Sequence, residues 1–190
     1  MRKTVYIYIR LYKMSCILCN SSEDTITVNG MDICHPCYKQ SVANEVKHDE
    51  SYIPEFKSPD QITDKIYVGD LNSACDLKEL NDRGITHILI LGSHLKRNFE
   101  SGIQYLQLMI DDSLEQSLDP YLEMGVNFIN SANGKVLIHC HSGISRSGAI
   151  LVGYLMKEND WSYDEALAFA KEKRKCLSPN SNFEAQLRAM

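Results

Sequence analysis

The chain is poor in the residues that interrupt folded structure or build fibres: its 190 residues include 10 Gly, 5 Pro and a single Trp. That scarcity excludes collagen-like and Pro/Gly-rich low-complexity classes. No apolar run approaches the ~18 residues that a membrane helix needs, since stretches such as Ala149-Ile-Leu-Val-Gly-Tyr-Leu-Met156 are soon interrupted. No membrane span is expected. Positive charge is not in surplus either: 20 Lys and Arg stand against 25 Asp and Glu, a formal net charge of −5. This leaves no global basic field for a phosphodiester backbone, and no local basic patch replaces it, so nucleic acid is not an expected partner. Residues 1–13 begin with basic charge and contain Val5-Tyr-Ile-Tyr-Ile9, but Arg10 and Lys13 break the run. No small-residue cleavage site follows, so the chain reads as non-secretory, with an intracellular, cytoplasmic or nuclear location expected and Met14 as an alternative start.

What the chain does have is cysteine. There are seven, an odd number, and four fall into two pairs, Cys16-Ile-Leu-Cys19 and Cys34-His-Pro-Cys37. This spacing suits metal better than disulfides and points to a reducing compartment. Between the pairs, Asp24-Thr-Ile-Thr-Val-Asn29-Gly30-Met-Asp-Ile33 alternates about Asn-Gly, a hairpin signal. A hairpin between two such knuckles brings four thiolates to a tetrahedral Zn²⁺, and a closed set of four Cys makes the site structural. His35, inside the second knuckle, reads as exposed rather than ligating. The segment is too short to build much core alone, so the metal would supply its folding energy. It resembles a treble-clef or LIM-like zinc finger, which implies a possible protein partner. The expected organisation is a zinc module over 14–48, a linker over 49–58 and an α/β domain over 59–190.

Within that domain, strands are expected at Lys65–Val68, Thr86–Leu91, Ile103–Ile110 and Lys135–His139. Helices should start at Ser73, with Asp76 three residues on, and close near Gly84; start at the Asp119 cap with Pro120 first; follow the loop at 140–146; start at the Ser162 cap with Glu165 in capping-box position; and cover 182–189. Such alternation gives a mostly parallel central sheet of four or five strands flanked by helices. Ligands of such sheets bind at the strands' C-terminal edge.

The segment Val136-Leu-Ile-His139-Cys140-His141-Ser142-Gly143-Ile144-Ser145-Arg146-Ser147-Gly148 runs from a strand through a tight loop into a helix. A loop ending at a helix N-terminus aims several N–H groups and the positive dipole end into one cavity, which suits a phosphate dianion. Gly143 lets the backbone curl, and the planar fork of Arg146 grips two equatorial oxygens. Cys140 lies at the floor, where the same donors favour thiolate over thiol and make it the candidate nucleophile.

His139-Cys140-His-Ser-Gly-Ile-Ser-Arg146-Ser147 resembles the Cys-x5-Arg signature loop of protein tyrosine phosphatases, specifically the dual-specificity subfamily. The resemblance covers about 59–190 and extends to Tyr105-Leu-Gln-Leu-Met-Ile110-Asp111-Asp112-Ser113, similar to the family's strand and acid-bearing mobile loop, and to Leu177-Ser-Pro-Asn180, similar to its turn before the last helix. It implies Cys140 as nucleophile, Arg146 as phosphate clamp and Asp112 as general acid, with Asp111 and Asp119 as alternatives. Ser147 would donate to the departing sulfur, and His141, Ser142, Gly143, Ile144 and Ser145 would line the substrate. His139 and Asn180 would support the loop. No cofactor is needed for this chemistry.

His141, Ser142, Ile144 and Ser145 include no Lys or Arg, whereas phosphoinositide-cleaving relatives tend to carry lysines there. This favours a phosphorylated protein as substrate over lipid, glucan or RNA phosphate. With no tyrosine-flanked recognition segment before the first strand, both phosphotyrosine and phosphoserine/threonine are expected. The competing reading is a catalytically silent phosphoprotein-binding adaptor. Cys75 and Cys176 read as semi-buried ordinary thiols, and Lys171-Glu-Lys-Arg-Lys175 as a solvated helix end.

Overall fold

The computed structural model describes residues 25–28, 31–34, 58–99 and 101–190. The chain divides into two compact units, Met1–Glu55 and Phe56–Met190. In the first, β1 (Thr25–Val28) pairs antiparallel with β2 (Met31–Cys34), Val28 opposite Met31 and Thr25 opposite Cys34. Two residues separate the strands, as the Asn-Gly signal requires. The expected zinc ligands Cys16, Cys19 and Cys37 lie outside the described residues.

The second unit is built on a five-stranded mixed sheet in the order β3-β4-β7-β5-β6, comprising β3 (Asp60–Gln61), β4 (Ile66–Gly69), β5 (Ile85–Leu91), β6 (Gln104–Leu108) and β7 (Lys135–His139). All pairs are parallel except β3 with β4, an antiparallel edge. Alternation along each strand feeds both faces. Ile66, Val68, Leu89, Leu91, Val136 and Ile138 join one core, and Tyr67, Ile88, Ile90 and Leu137 join the other. Such strands must be covered on both sides. The helices α2 (Asp119–Ser131), α3 (Arg146–Asn159), α4 (Tyr163–Lys173) and α5 (Ser181–Arg188) supply buried residues to the first core, and α1 (Leu77–Arg83) supplies Leu80 to the second. Among the described residues no helix is long and apolar enough to cross a membrane.

Helix starts depart from expectation where tertiary bonds compete. The N-cap of α1 is Asp76, which accepts from the Glu79 N–H, not Ser73. Ser73 instead closes a turn with Asp70, whose Oδ1 accepts from both its N–H and its hydroxyl. Asp119 is the first residue of α2 rather than its cap. The cap position falls to buried Leu118, whose N–H donates to Gln186 Oε1 at 2.8 Å. The capping box at Ser162 and Glu165 forms in full.

Register decides where the site can be. Gly69 lies beside His139, His139 beside Ile90, and Leu91 beside Leu108. The segments following β4, β5, β6 and β7 therefore leave the sheet at one edge.

Candidate active site

At that edge β7 delivers Cys140, and the chain turns through 140–145 before α3 begins at Arg146. Cys140 is buried, 2% exposed. Its Sγ accepts the Gly143 N–H at 3.3 Å and lies 3.3 Å from Ser147 Oγ, the buried second residue of α3. A thiolate here receives both hydrogens. Gly143 holds φ +66°, and an added Cβ would meet the Gly69 carbonyl oxygen at 2.5 Å, so only glycine fits this turn. His141 and Ser142 are exposed at the rim, and Ile144 and Ser145 are half-buried. The His141 ring meets His94 edge-on at 6.0 Å. Partial burial, His94 and Arg146 together hold its pKa below the ordinary imidazole value.

Arg146 is itself buried. Its Nη1 would stand 2.8 Å from a Cβ at Gly92, whose φ is +146°, so the absence of a side chain there makes room for the guanidinium. Nε lies 3.7 Å from Asp112 Oδ2, an ion pair too long for a hydrogen bond.

Asp112 comes from the segment between β6 and α2. Its Oδ1 accepts from Ser145 Oγ at 2.6 Å and Asn180 Nδ2 at 2.8 Å. The Asn180 N–H in turn donates to Ser145 Oγ, and Asn180 Oδ1 caps α5 by accepting from the Phe183 N–H. One asparagine thus fixes a helix start, a phosphate-loop serine and the carboxylate. The segment is also held by α5: Asn182 donates to the Ser113 and Gln116 carbonyls, and Gln186 to that of Gln116. Of the alternatives, exposed Asp111 uses its N–H on Gln116 Oε1, and Asp119 lies exposed at the start of α2.

His139 is fully buried, with Nδ1 3.3 Å from the Cys140 carbonyl and no protein partner for Nε2. Burial depresses its pKa from 6.5 to about 4, so it is neutral at physiological pH and holds the loop without carrying protons. Between pH 6.5 and 4 the unfolded chain binds a proton that the native state refuses, and native stability falls as pH drops through that window. The loss is expected to reach about 3 kcal/mol by pH 4. Denaturant titrations of wild type and His139→Asn check this: the variant's stability should fall less over the window, and parallel pH profiles would contradict it.

One residue escaped the sequence reading. Arg174, placed above on a solvated helix end, is 7% exposed. Its Nε donates to the Gly143 carbonyl at 2.9 Å, Nη2 lies 3.5 Å from the Ser142 carbonyl, and Nη1 donates to Asp60 Oδ2 at 2.6 Å. The charge run disguised it, and the only available signal was its place six residues before Asn180 in the phosphatase-like turn. Cys176 is exposed rather than semi-buried. Cys75 is half-buried, its thiol donating to the Leu71 carbonyl and its pKa pushed up to about 11 by burial and Asp70.

A buried thiol met by the Gly143 N–H and the Ser147 hydroxyl, a buried arginine fork and a tethered carboxylate make a site for a phosphate monoester. The sequence profile of the dual specificity phosphatase catalytic domain matches residues 66–190. The chain belongs to the dual specificity phosphatase family. Among its relatives, the tyrosine-protein phosphatase yvh1 of Schizosaccharomyces pombe is 38% identical over 144 residues, 74% of this chain and 44% of that protein. Dual specificity protein phosphatase 16 of Homo sapiens is 38% identical over 68% of this chain and 20% of its own length. The chain thus spans less than half the length of these relatives. Among solved structures, the human tyrosine phosphatase-like serine/threonine/tyrosine-interacting protein superposes with a TM-score of 0.66 at 33% identity, over 70% of this chain and 94% of that one. The Yvh1 phosphatase domain of Chaetomium thermophilum gives 0.64 at 28% identity, with the same two coverages.

Proposed function

We propose that the chain is a dual-specificity protein phosphatase that hydrolyses phosphotyrosine and phosphoserine/phosphothreonine through a phosphocysteine at Cys140. The carrying observation is the convergence of Gly143 N–H and Ser147 Oγ on one sulfur, with Arg146 and the tethered Asp112 beside it. Sγ attacks phosphorus in line, the S–P bond forms and the ester P–O bond breaks. Asp112 gives its proton to the departing oxygen, whose basicity otherwise makes departure slow. Arg146 and the loop N–H groups hold the equatorial oxygens as charge spreads over them. The ionised Asp112 then takes a proton from water, whose oxygen attacks phosphorus. The S–P bond breaks, and Ser147 donates to the released thiolate.

A protein substrate is supported by the family and by a loop with no Lys or Arg at positions 141, 142, 144 and 145. The test is turnover of phosphotyrosine and phosphothreonine peptides against a phosphoinositide, a phosphorylated glucan and an RNA 5′-phosphate, with Cys140→Ser as control. Peptides should dominate. Faster turnover of any non-protein phosphate, or activity surviving in the control, contradicts the reading.

The proposal extends to residues 14–48 as a zinc module, joined through 49–58 to the catalytic part from 59 onward. The β1–β2 register sets Cys34 opposite Thr25 at the open end of the hairpin, and the two Cys-x-x-Cys pairs that flank the hairpin in sequence support Cys16, Cys19, Cys34 and Cys37 as the ligands of one structural Zn²⁺. The purified chain should carry one zinc per molecule and Cys34→Ser substantially less, as read by elemental analysis. Equal zinc in both contradicts it. A protein partner for this module and an intracellular, cytoplasmic or nuclear setting belong to the same proposal.

A further inference from the structure

Arg174 makes contacts that capping or charge balance alone would not require. Two of its nitrogens face the carbonyls of Ser142 and Gly143, which belong to consecutive peptide units whose N–H groups are those of Gly143 and Ile144. In a planar trans peptide the N–H and C=O point in opposite directions, so holding these oxygens on one side sends the hydrogens to the other. The Gly143 N–H does reach Cys140 Sγ, at 3.3 Å. Left alone, these units have little to hold them, because the residue between them is a glycine at φ +66°, where backbone states interconvert at low cost. A flipped unit would aim a carbonyl oxygen at the thiolate and at the phosphate dianion.

Asp60 completes the device. A guanidinium 7% exposed is costly to bury without a counter-charge, and the Asp60 carboxylate at 2.6 Å supplies one from the edge strand β3. Asp60 is itself fixed by the antiparallel pairing of β3 with β4, where it stands opposite Val68. The chain after Arg174 adds to the grip: the Ser178 N–H donates to the Ile144 carbonyl at 3.2 Å.

We propose that Arg174, anchored by Asp60, is a positioning residue that orients the Ser142–Gly143 and Gly143–Ile144 peptide units so that their N–H groups face the thiolate and the phosphoryl oxygens. The proposal rests on the phosphatase reading of the loop and assigns a source to its oxyanion-binding geometry. The bonds of Arg174 go to the Gly143 and Ser142 carbonyls and to Asp60, not to the sulfur. Its effect is on how well the loop receives an oxyanion, in the ground state and more strongly in the transition state.

The experiment compares wild type, Arg174→Met, Arg174→Lys and Asp60→Asn for steady-state hydrolysis of an aryl phosphate, competitive inhibition by vanadate, and urea unfolding. Losing well-aimed oxyanion donors is expected to lower kcat/KM and vanadate affinity together by about 10²-fold in Arg174→Met. Both losses should appear at urea concentrations where the variant is fully folded. Arg174→Lys, which keeps the charge but cannot span both carbonyls and Asp60, should recover only a small part. Asp60→Asn should show a smaller, parallel loss in both quantities. If folded Arg174→Met keeps kcat/KM and vanadate affinity within twofold of wild type, the proposal is overturned. Should Arg174→Met not fold, the same result in Asp60→Asn overturns it. A wild type that neither turns over the aryl phosphate nor binds vanadate overturns the phosphatase reading and this proposal with it, which separates the two failures.

Discussion

Replacing Asp112 with Asn is expected to lower turnover of a phosphothreonine peptide by about 10³-fold, within the range that a positioned general acid contributes. The loss should shrink steeply for an aryl phosphate with a strongly activated leaving group, because such an oxygen departs without a proton. The geometry gives the reason for choosing this carboxylate over its neighbours: Ser145 and Asn180 both donate to Oδ1, while Oδ2 faces Arg146 Nε at 3.7 Å, too far for a hydrogen bond, and is the oxygen assigned to carry the proton. Asparagine keeps the shape and an acceptor but has no acidic hydrogen. Kinetics across a series of leaving groups check this. Equal losses at both ends of the series would place the acid elsewhere, with Asp111 the next carboxylate to substitute.

A second large effect is expected at Arg146. Arg146→Lys keeps a positive charge but loses the planar fork that holds two equatorial oxygens at once. The site is shaped for the fork, since the space beside Nη1 exists only because position 92 has no side chain. A lysine ammonium cannot fill it or span the phosphate. The expected loss in kcat/KM is about 10³-fold, the scale of removing transition-state donors from a desolvated site, with a parallel loss of vanadate affinity. A change confined to KM would mean that Arg146 binds substrate and transition state equally.

Much of this architecture was legible in the sequence because it is local. The strand at Lys135–His139, the loop from Cys140 and the helix that follows are contiguous, so the burial of Cys140 and its nearness to Ser147 follow from one segment's pattern. The strand expected at Thr86–Leu91 is likewise local, a nearly continuous apolar segment whose alternate residues enter both cores. Arg174 was illegible for the opposite reason. Its partners are Gly143 and Asp60, 31 and 114 residues away, and in sequence it sits among Lys171, Lys173 and Lys175 like any solvated cation. Ser73 and Asp119 show a milder form of the same difficulty. Each had the chemistry of a helix cap, but Asp70 engaged the first and Gln186 satisfied the start of the helix at the second. Asn180 was legible as a supporting residue, although its simultaneous hold on Phe183, Ser145 and Asp112 required the tertiary structure.

The most direct test of the account is rapid acid quenching of the wild type during turnover of an aryl phosphate, followed by mapping of the phosphoryl group by peptide mass spectrometry. One phosphoryl group on the peptide containing Cys140, absent from Cys140→Ser, is the predicted result. Turnover without any adduct on that peptide, or an adduct that persists in Cys140→Ser, would contradict the phosphocysteine mechanism on which the reading of this site rests.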